Sequence, residues 1–215
     1  MAEEELKGTE ESNRIRKYKS VISNRQKLTV ILENVHDPHN IGAVVRSCDA
    51  VGISEIFIVY SIGSHDSISK KVGKNTSSGA RKWIKTHYFT DLQTCFTEVR
   101  LRYDKIYGTH LSTDSESLYG LDLTQPLALM FGNEHLGISK EALRLLDGNF
   151  IIPQYGMVQS LNISVACAVS LFEAARQREV KNMYDKTFDE QSEAHQTMLD
   201  WFVEKHIDYI RKKEK

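Results

Sequence analysis

Residues 28–60 read LTVILENVHDPHNIGAVVRSCDAVGISEIFIVY, and this stretch decides the fold class. Its two ends, 28–33 and 55–60, are short runs of apolar and β-branched residues, which predict buried strands. Between them, Asp37 and Pro38 are typical of a helix start, and apolar residues recur at helical spacing as far as Gly52. The stretch therefore predicts a strand, a helix over 38–51 and a second strand, the repeating unit of a parallel sheet.

The rest of the chain continues this alternation. Short apolar runs predict three more strands, at 105–109, 127–131 and 149–152. Helical spacing predicts further helices at 91–102, 139–146, 161–178 and 192–212. We therefore predict an α/β fold, with a mostly parallel sheet flanked by helices on both faces. In such sheets ligands bind beyond the carboxyl ends of the strands. We therefore expect the functional residues in the segments that follow Glu33, Thr109, Phe131 and Ile152.

Composition excludes several classes of protein. The 215 residues are 40% hydrophobic, with 12 glycines and 3 prolines, which favours one compact domain over a fibrous or low-complexity chain. No apolar run approaches the roughly 18 residues that span a bilayer. The acidic start, MAEEELKGTEE, is unlike a targeting segment, so we expect a cytoplasmic protein with no membrane partner. The three cysteines are far apart in apolar surroundings, which predicts reduced core residues at Cys48, Cys95 and Cys167.

Charge patterning divides the chain. We expect a disordered acidic tail over 1–12, a domain over 13–180 that begins with a basic helix, and a helical extension over 181–215.

The net charge is −1, yet residues 14–27 and 70–85 each carry six cations and no acid. A solvated helix face would explain one such run, whereas the recurrence favours binding of a polyanion. Tyr18 and Trp83 lie among these cations and could stack on bases. The candidate RNA-binding residues are Arg14, Arg16, Lys17, Arg25, Lys74, Arg81 and Lys82.

Three loops at predicted strand ends carry the candidate chemistry. The first holds Asn34, Asn40 and Arg46, which either form a polar site or act as a turn cap and a surface ion pair. The second is FGNEHLG at 131–137, and the third is IIPQYGMVQSLNIS at 151–164, where Ser160 and Asn162 precede a helix. We expect no metal site at His36 and His39, because Pro38 disrupts helical ligand spacing. The chain has neither a Walker loop nor a GxGxxG motif, which argues against NTP and NAD.

Together these loops resemble the motifs of the SPOUT superfamily, and most closely those of the TrmH-type tRNA ribose 2′-O-methyltransferases. The resemblance rests on LENVHDPHNIGAVVRSCDAVG at 32–52, FGNEHLG at 131–137 and IPQYGMVQSLNISVA at 152–166. It implies a deep trefoil knot in the C-terminal half of the sheet, a homodimer, and S-adenosyl-L-methionine (AdoMet) as the methyl donor. The residues it implies for catalysis are Asn40, Arg46, Glu134, Ser160 and Asn162. Those it implies for donor binding are Thr109, Gly132, Ile152, Met157 and Leu161.

The flanks of the resembling region bear on the substrate. Only about 27 residues precede the first predicted strand, which is too short for the RNA-binding domain that relatives acting on ribosomal RNA carry. The basic helix before the core and the helix after it resemble the enzymes that methylate the D-loop guanosine ribose of tRNA. A 2′-O-methyltransferase acting on ribosomal RNA or the tRNA wobble ribose stays open, as does a non-catalytic RNA chaperone. Because a guanidinium is a poor base at neutral pH, we expect Arg46 to pair with a phosphate rather than remove a proton.

Overall fold

The computed structural model describes residues 2–62, 79–158 and 160–213, and they form two compact units. The described residues of the larger unit, which spans 26–181, form seven strands. These are β1 (Leu28–Glu33), β2 (Glu55–Val59), β3 (Lys85–Phe89), β4 (Lys105–Thr109), β5 (Glu116–Ser117), β6 (Leu127–Phe131) and β7 (Gly148–Ile151). They make one sheet in the order β3-β2-β1-β6-β4-β7-β5, and every pairing between neighbours is parallel.

Helices cover both faces of this sheet. They are α2 (Pro38–Ala50), α3 (Leu92–Arg100), α4 (Lys140–Leu143) and α5 (Ile163–Val180). On β1, Val30 and Leu32 join the core formed with α2 and α5, whereas Ile31 joins the core formed with α3 and α4. This alternation follows from the opposite directions of successive strand side chains. The predicted α/β class, with a mostly parallel sheet between helices, is confirmed.

The smaller unit consists of residues 1–25 and 182–215. It contains α1 (Ala2–Ser23) and α6 (Glu193–Lys213), which pack together where Tyr18 meets the ring of Phe202 edge-on at 5.5 Å. Among the described residues, no helix is both long and apolar enough to cross a bilayer.

The boundaries of the N-terminal region differ from the prediction. α1 begins at Ala2, where we expected a disordered acidic tail over 1–12, because Ala, Glu, Leu and Lys in that stretch are strong helix formers whatever their net charge. The basic helix belongs with α6 rather than with the domain predicted over 13–180. The extension predicted over 181–215 is therefore one half of a two-helix unit.

Two strands and one helix length also differ. β3 and β5 were not predicted, since KTHYF is polar and half-exposed at the edge of the sheet and β5 is only two residues long. α4 spans Lys140–Leu143 and is shorter than the helix predicted over 139–146. Cys48, Cys95 and Cys167 are buried free thiols, as expected.

Candidate active site

The strand order brings the three candidate loops to one edge of the sheet. β1, β6, β4 and β7 are consecutive neighbours and run parallel, so the loops that follow them lie side by side at the carboxyl ends. Three of them are the motif loops after Glu33, Phe131 and Ile152, and the fourth follows Thr109. The topology therefore places motifs separated by about 100 residues in one region.

Three predicted residues, one from each motif, are joined by hydrogen bonds. The side-chain amide of Asn40 donates to Oε1 of Glu134 over 2.7 Å. The amide of Asn162 donates to Oδ1 of Asn40 over 3.2 Å. Asn162 is also the N-cap of α5, because its Oδ1 accepts from the backbone N–H of Ser164 at 2.9 Å. We call Asn40, Glu134 and Asn162 the carboxyl-edge cluster.

Local sequence explains where Asn40 lies. Asp37 is the N-cap of α2, and its carboxylate accepts from the N–H of His39 at 2.8 Å, while Pro38 occupies the first helical position. Asn40 is therefore in the first turn of the helix and half-buried. Arg46 follows six residues later on the same helix and is exposed. At about 100° per residue the two side chains project roughly 120° apart, so the helix alone does not make them converge.

A cavity of about 620 Å³ lies at the ends of β4 and β7, and its lining residues Ser160 and Leu161 directly precede Asn162 in the chain. Thr109, Ile152, Ser160 and Leu161, all predicted as site residues, line it. Its walls combine apolar side chains with backbone and hydroxyl groups, and its size is that of a small-molecule site. His110 and Leu111 also line the cavity, although the sequence did not single them out. Their position directly after a strand is the one sequence feature that could have indicated them.

Two predicted donor residues, Gly132 and Met157, are not among the residues that line this cavity. Met157 is 99% exposed on the loop that forms one wall. Gly132 begins the turn after β6, where a Cβ would lie 2.1 Å from the carbonyl carbon of Gly137. Only glycine permits this approach of the two backbone segments.

A buried polar layer supports these loops, and sequence reasoning missed most of it. Glu33, at the end of β1, is 1% exposed, and its Oε2 accepts from the N–H of Ser139 at 2.9 Å. Asn34 is buried beside it, and its carbonyl oxygen accepts from the side-chain amide of Asn133 at 2.8 Å. Neither Glu33 nor Asn133 stands out by residue type or spacing, because their partners are about 100 residues away.

Two titratable groups of the core are held in their neutral form. Burial raises the pKa of the Cys95 thiol to about 12. Burial also raises the pKa of the phenol of Tyr60, whose ring stacks on His36 at 5.3 Å. Within 2–62, 79–158 and 160–213, no group of three or more His, Cys, Asp or Glu side chains is arranged to hold a metal ion.

The predicted RNA-binding residues lie in both units. Arg14, Arg16 and Lys17 are exposed on α1, while Arg25 is half-buried, with its guanidinium 5.7 Å from the ring centre of Phe202. Arg81 and Lys82 are half-buried in a short 3₁₀ turn, Ala80–Lys82, and Lys74 falls outside the described residues. Tyr18 was wrongly interpreted as a stacking surface, since it is 8% exposed and packs on Phe202.

This fold and site define a parallel α/β protein with a cavity of small-molecule size and a polar cluster drawn from three motif loops at the carboxyl edge of its sheet. The chain belongs to the SpoU rRNA Methylase family, whose model matches residues 27–172. The family predicted from the sequence is therefore confirmed, and with it the class of enzyme, an RNA methyltransferase.

Individual relatives agree over most of the chain. A tRNA (guanosine(18)-2′-O)-methyltransferase of Thermus thermophilus is 42% identical over 189 residues, covering 87% of this chain and 95% of that enzyme. The crystal structure of an Aquifex aeolicus TrmH/SpoU tRNA modifying enzyme superposes with a TM-score of 0.78 at 34% identity, covering 90% of this chain and 96% of that one. The SpoU methyltransferase AviRb of Streptomyces viridochromogenes, solved with the cofactor AdoMet, gives a TM-score of 0.61 at 27% identity, covering 72% and 59%.

Proposed function

We propose that this protein transfers a methyl group from AdoMet to the ribose 2′-hydroxyl of guanosine 18 in the D loop of tRNA. The observation that carries this proposal is the 42% identity to an enzyme of that name over 95% of its length. That span includes all three motif loops, with Asn40, Arg46, Glu134, Ser160 and Asn162 in place. The coverage of 95% of that enzyme supports a tRNA substrate.

The cavity at the ends of β4 and β7 supports AdoMet as the donor. Its volume of about 620 Å³ and its mixed apolar and polar walls fit a nucleoside with a charged tail. Thr109, Ile152 and Leu161 would hold the donor, and we propose that Gly132 and Met157 contribute from the adjoining loops. When bound there, AdoMet supplies an activated methyl group on a sulfonium.

The remaining residues act on the acceptor. In the transfer the ribose oxygen forms a bond to the methyl carbon as the carbon–sulfur bond breaks, and the hydroxyl proton leaves. A guanidinium is a poor general base, so we assign Arg46 to the phosphate beside the target ribose and to the charge that develops on the oxygen. Asn40 orients this region through Glu134 and Asn162, and a phosphate oxygen or water removes the proton. Glu134, Ser160 and Asn162 shape the cleft between donor and acceptor.

The cationic side chains provide the tRNA footprint. Arg14, Arg16 and Lys17 on α1 are exposed, and Arg25, Lys74, Arg81 and Lys82 complete the predicted set. Contacts of this kind bind phosphates without reading sequence, so they position the tRNA while the cleft selects the nucleotide.

Three structural features belong to the same proposal. We infer a trefoil knot from the family resemblance and from the insertion of β7 between β4 and β5. We infer a homodimer from apolar side chains exposed on α5, where Phe172 is 56% and Val165 47% exposed. We also propose that the protein is cytoplasmic and that no metal takes part, since the sequence requires none.

Two measurements test the proposal. Calorimetry with AdoMet should show binding near one donor per chain, and tritium from labelled AdoMet should then appear in tRNA transcripts. Donor binding without transfer to any RNA would instead support an RNA chaperone with an inactive site. Transfer to ribosomal RNA fragments or to the wobble ribose, in place of the D loop, would assign the same chemistry to another substrate.

A further inference from the structure

The turn that carries Glu134 is closed by its own backbone. The N–H of Asn133 donates to the carbonyl oxygen of Gly137 at 3.1 Å, and the N–H of Gly137 donates back to the carbonyl oxygen of Asn133 at 2.8 Å. Inside this loop, Oδ1 of Asn133 accepts from the N–H groups of His135 and Leu136, at 2.9 and 3.2 Å. The oxygen of the Asn133 side chain therefore organises the turn on either side of Glu134.

The nitrogen of the same side chain connects the turn to the core. Nδ2 of Asn133 donates to the carbonyl oxygen of Asn34, which is 5% exposed and adopts the left-handed conformation with φ of 53°. The side chain of Asn34 holds the segment after β2, because its Oδ1 accepts from the N–H groups of Ser61 and Ile62 at 3.0 and 3.2 Å. The acceptor for Asn133 is thus part of a buried and well-bonded element.

Glu134 has much weaker support of its own. It is exposed, and in the part of the chain that the structure describes its carboxylate accepts one hydrogen bond, from Asn40. A side chain without packing keeps a defined direction only if its backbone is held. The turn, anchored at Asn133, provides that restraint.

We propose that Asn133 is a positioning residue: its amide, bound to the carbonyl oxygen of Asn34, fixes the turn that presents the Glu134 carboxylate to Asn40. The inference rests on the proposed function, because it assigns Glu134 to the cleft where methyl transfer takes place. Asn133 itself touches neither donor nor acceptor in this scheme. It acts on the reaction through Glu134 alone.

The substitution Asn133→Asp tests the hydrogen bond between the Asn133 side chain and the Asn34 carbonyl oxygen. It keeps an oxygen for His135 and Leu136 and the shape of the side chain, but it replaces the N–H donor with an oxygen that the Asn34 carbonyl repels. We expect kcat for methyl transfer to fall roughly tenfold, with the Kd for AdoMet within about twofold of wild type, as displacement of a site residue predicts. If the aspartate variant does not fold, the same measurements are made on Asn133→Ser, whose side chain is shorter, uncharged and still able to accept a hydrogen bond.

A double substitution separates positioning from general loss of structure. In a Glu134→Gln background, Asn133→Asp should change kcat by less than about twofold, since the group it positions is already altered. The control is Ser139→Ala, which removes the N-cap of α4 beside the same turn, where Ser139 Oγ accepts from the N–H of Ala142 at 3.1 Å. That variant should lower Tm and leave kcat unchanged. Additive losses in the double variant, or an equal kcat loss in Ser139→Ala, would overturn the proposal.

A readout without catalysis separates this inference from the proposed function. The side-chain amide signal of Asn40 in a proton–nitrogen spectrum, assigned with Asn40→Asp, reports its hydrogen bond to Glu134. Asn133→Asp should shift this signal and Ser139→Ala should not. If wild type transfers no methyl group, the proposed function fails and the spectrum still decides the inference. An unchanged Asn40 signal in Asn133→Asp contradicts it.

Discussion

Two polar clusters occupy opposite ends of the same sheet, and each is built around a glutamate. At the amino end, Glu55 lies with His87, Arg102 and Tyr103, a set we call the amino-edge cluster. Its Oε2 is 2.8 Å from Nε2 of His87 and 3.1 Å from Nη1 of Arg102, and its Oε1 accepts from the Tyr103 hydroxyl at 3.1 Å. At the other end, Glu134 belongs to the carboxyl-edge cluster and is exposed.

The difference contrasts a carboxylate that supports the fold with one that we propose lies in the active site. Burial opposes ionisation of Glu55, but the hydrogen bond from His87 and the charge of Arg102 outweigh it, so the pKa of Glu55 lies below its usual value. Both of its oxygens are occupied by partners of the chain itself. Glu134 is exposed, and within the described residues its carboxylate accepts one hydrogen bond, from Asn40. We therefore expect substitutions at the amino edge to affect stability and those at the carboxyl edge to affect activity.

The largest effect should follow from removing Arg46. Arg46→Ala should lower kcat/KM for tRNA methylation about 100-fold or more, because the phosphate and the developing oxygen charge lose their partner. Arg46→Lys keeps the charge but not the planar fork, so it should recover little of the activity. Tm should change by only a few degrees, since the side chain is exposed. Near wild-type turnover of Arg46→Lys in steady-state assays would rule out bidentate clamping.

Gly132→Ala should lower both stability and activity, unlike the other substitutions that we expect to affect activity at the carboxyl edge. The added Cβ would lie 2.1 Å from the backbone of Gly137, so the turn must open. We expect a loss of about 2–3 kcal/mol in the free energy of unfolding, typical of overpacking, and a clear fall in kcat. Urea denaturation and methyl transfer measure the two effects. Gly156→Ala is the matched control, since a Cβ there meets nothing within 4 Å. Equal behaviour of the two variants would contradict the tight-turn explanation.

Glu55→Gln should show the reverse pattern to Arg46. It leaves His87 without its charged partner and Arg102 paired with Glu98 alone, and we expect a loss of about 2 kcal/mol in stability at pH 7 with kcat within twofold of wild type. Since the folded-state pKa of Glu55 is depressed, its contribution is present above the unfolded-state pKa and is lost as pH falls through the folded-state value. The stability difference between wild type and variant should therefore shrink between pH 7 and about pH 3. A difference independent of pH would mean that the carboxylate charge contributes nothing.

The smallest effect should come from single exposed cations on α1. Arg16→Ala should weaken tRNA binding a few-fold and lower the slope of log affinity against log salt by about one. Lys19→Ala is the control, because Lys19 pairs with Glu190 and lies 5.1 Å from the ring centre of Phe188. It should change the slope less. An affinity of wild type that hardly varies between low and moderate salt would rule out the proposed footprint.

The parts of this account that the sequence predicts are those that depend on local pattern. Alternating apolar runs located β1, β2, β4, β6 and β7, and Asp37 with Pro38 located the start of α2. β3 was missed because an edge strand need not be apolar. The rule that sites lie beyond the carboxyl ends of parallel strands placed Asn40, Glu134 and Asn162 at the same edge of the sheet. Their hydrogen bonds could be seen only in the structure. Burial of Tyr18 depends on Phe202, 184 residues later in the chain, and no local signal reveals it.

Mapping the modified nucleotide tests the central claim most directly. A tRNA transcript is incubated with the protein and AdoMet, digested, and analysed by mass spectrometry, alongside a transcript with adenosine in place of guanosine 18. The account predicts a single added methyl group on the ribose of guanosine 18 and no product with the altered transcript. A methyl group on a base, on another ribose, or on no nucleotide of any tRNA would contradict it.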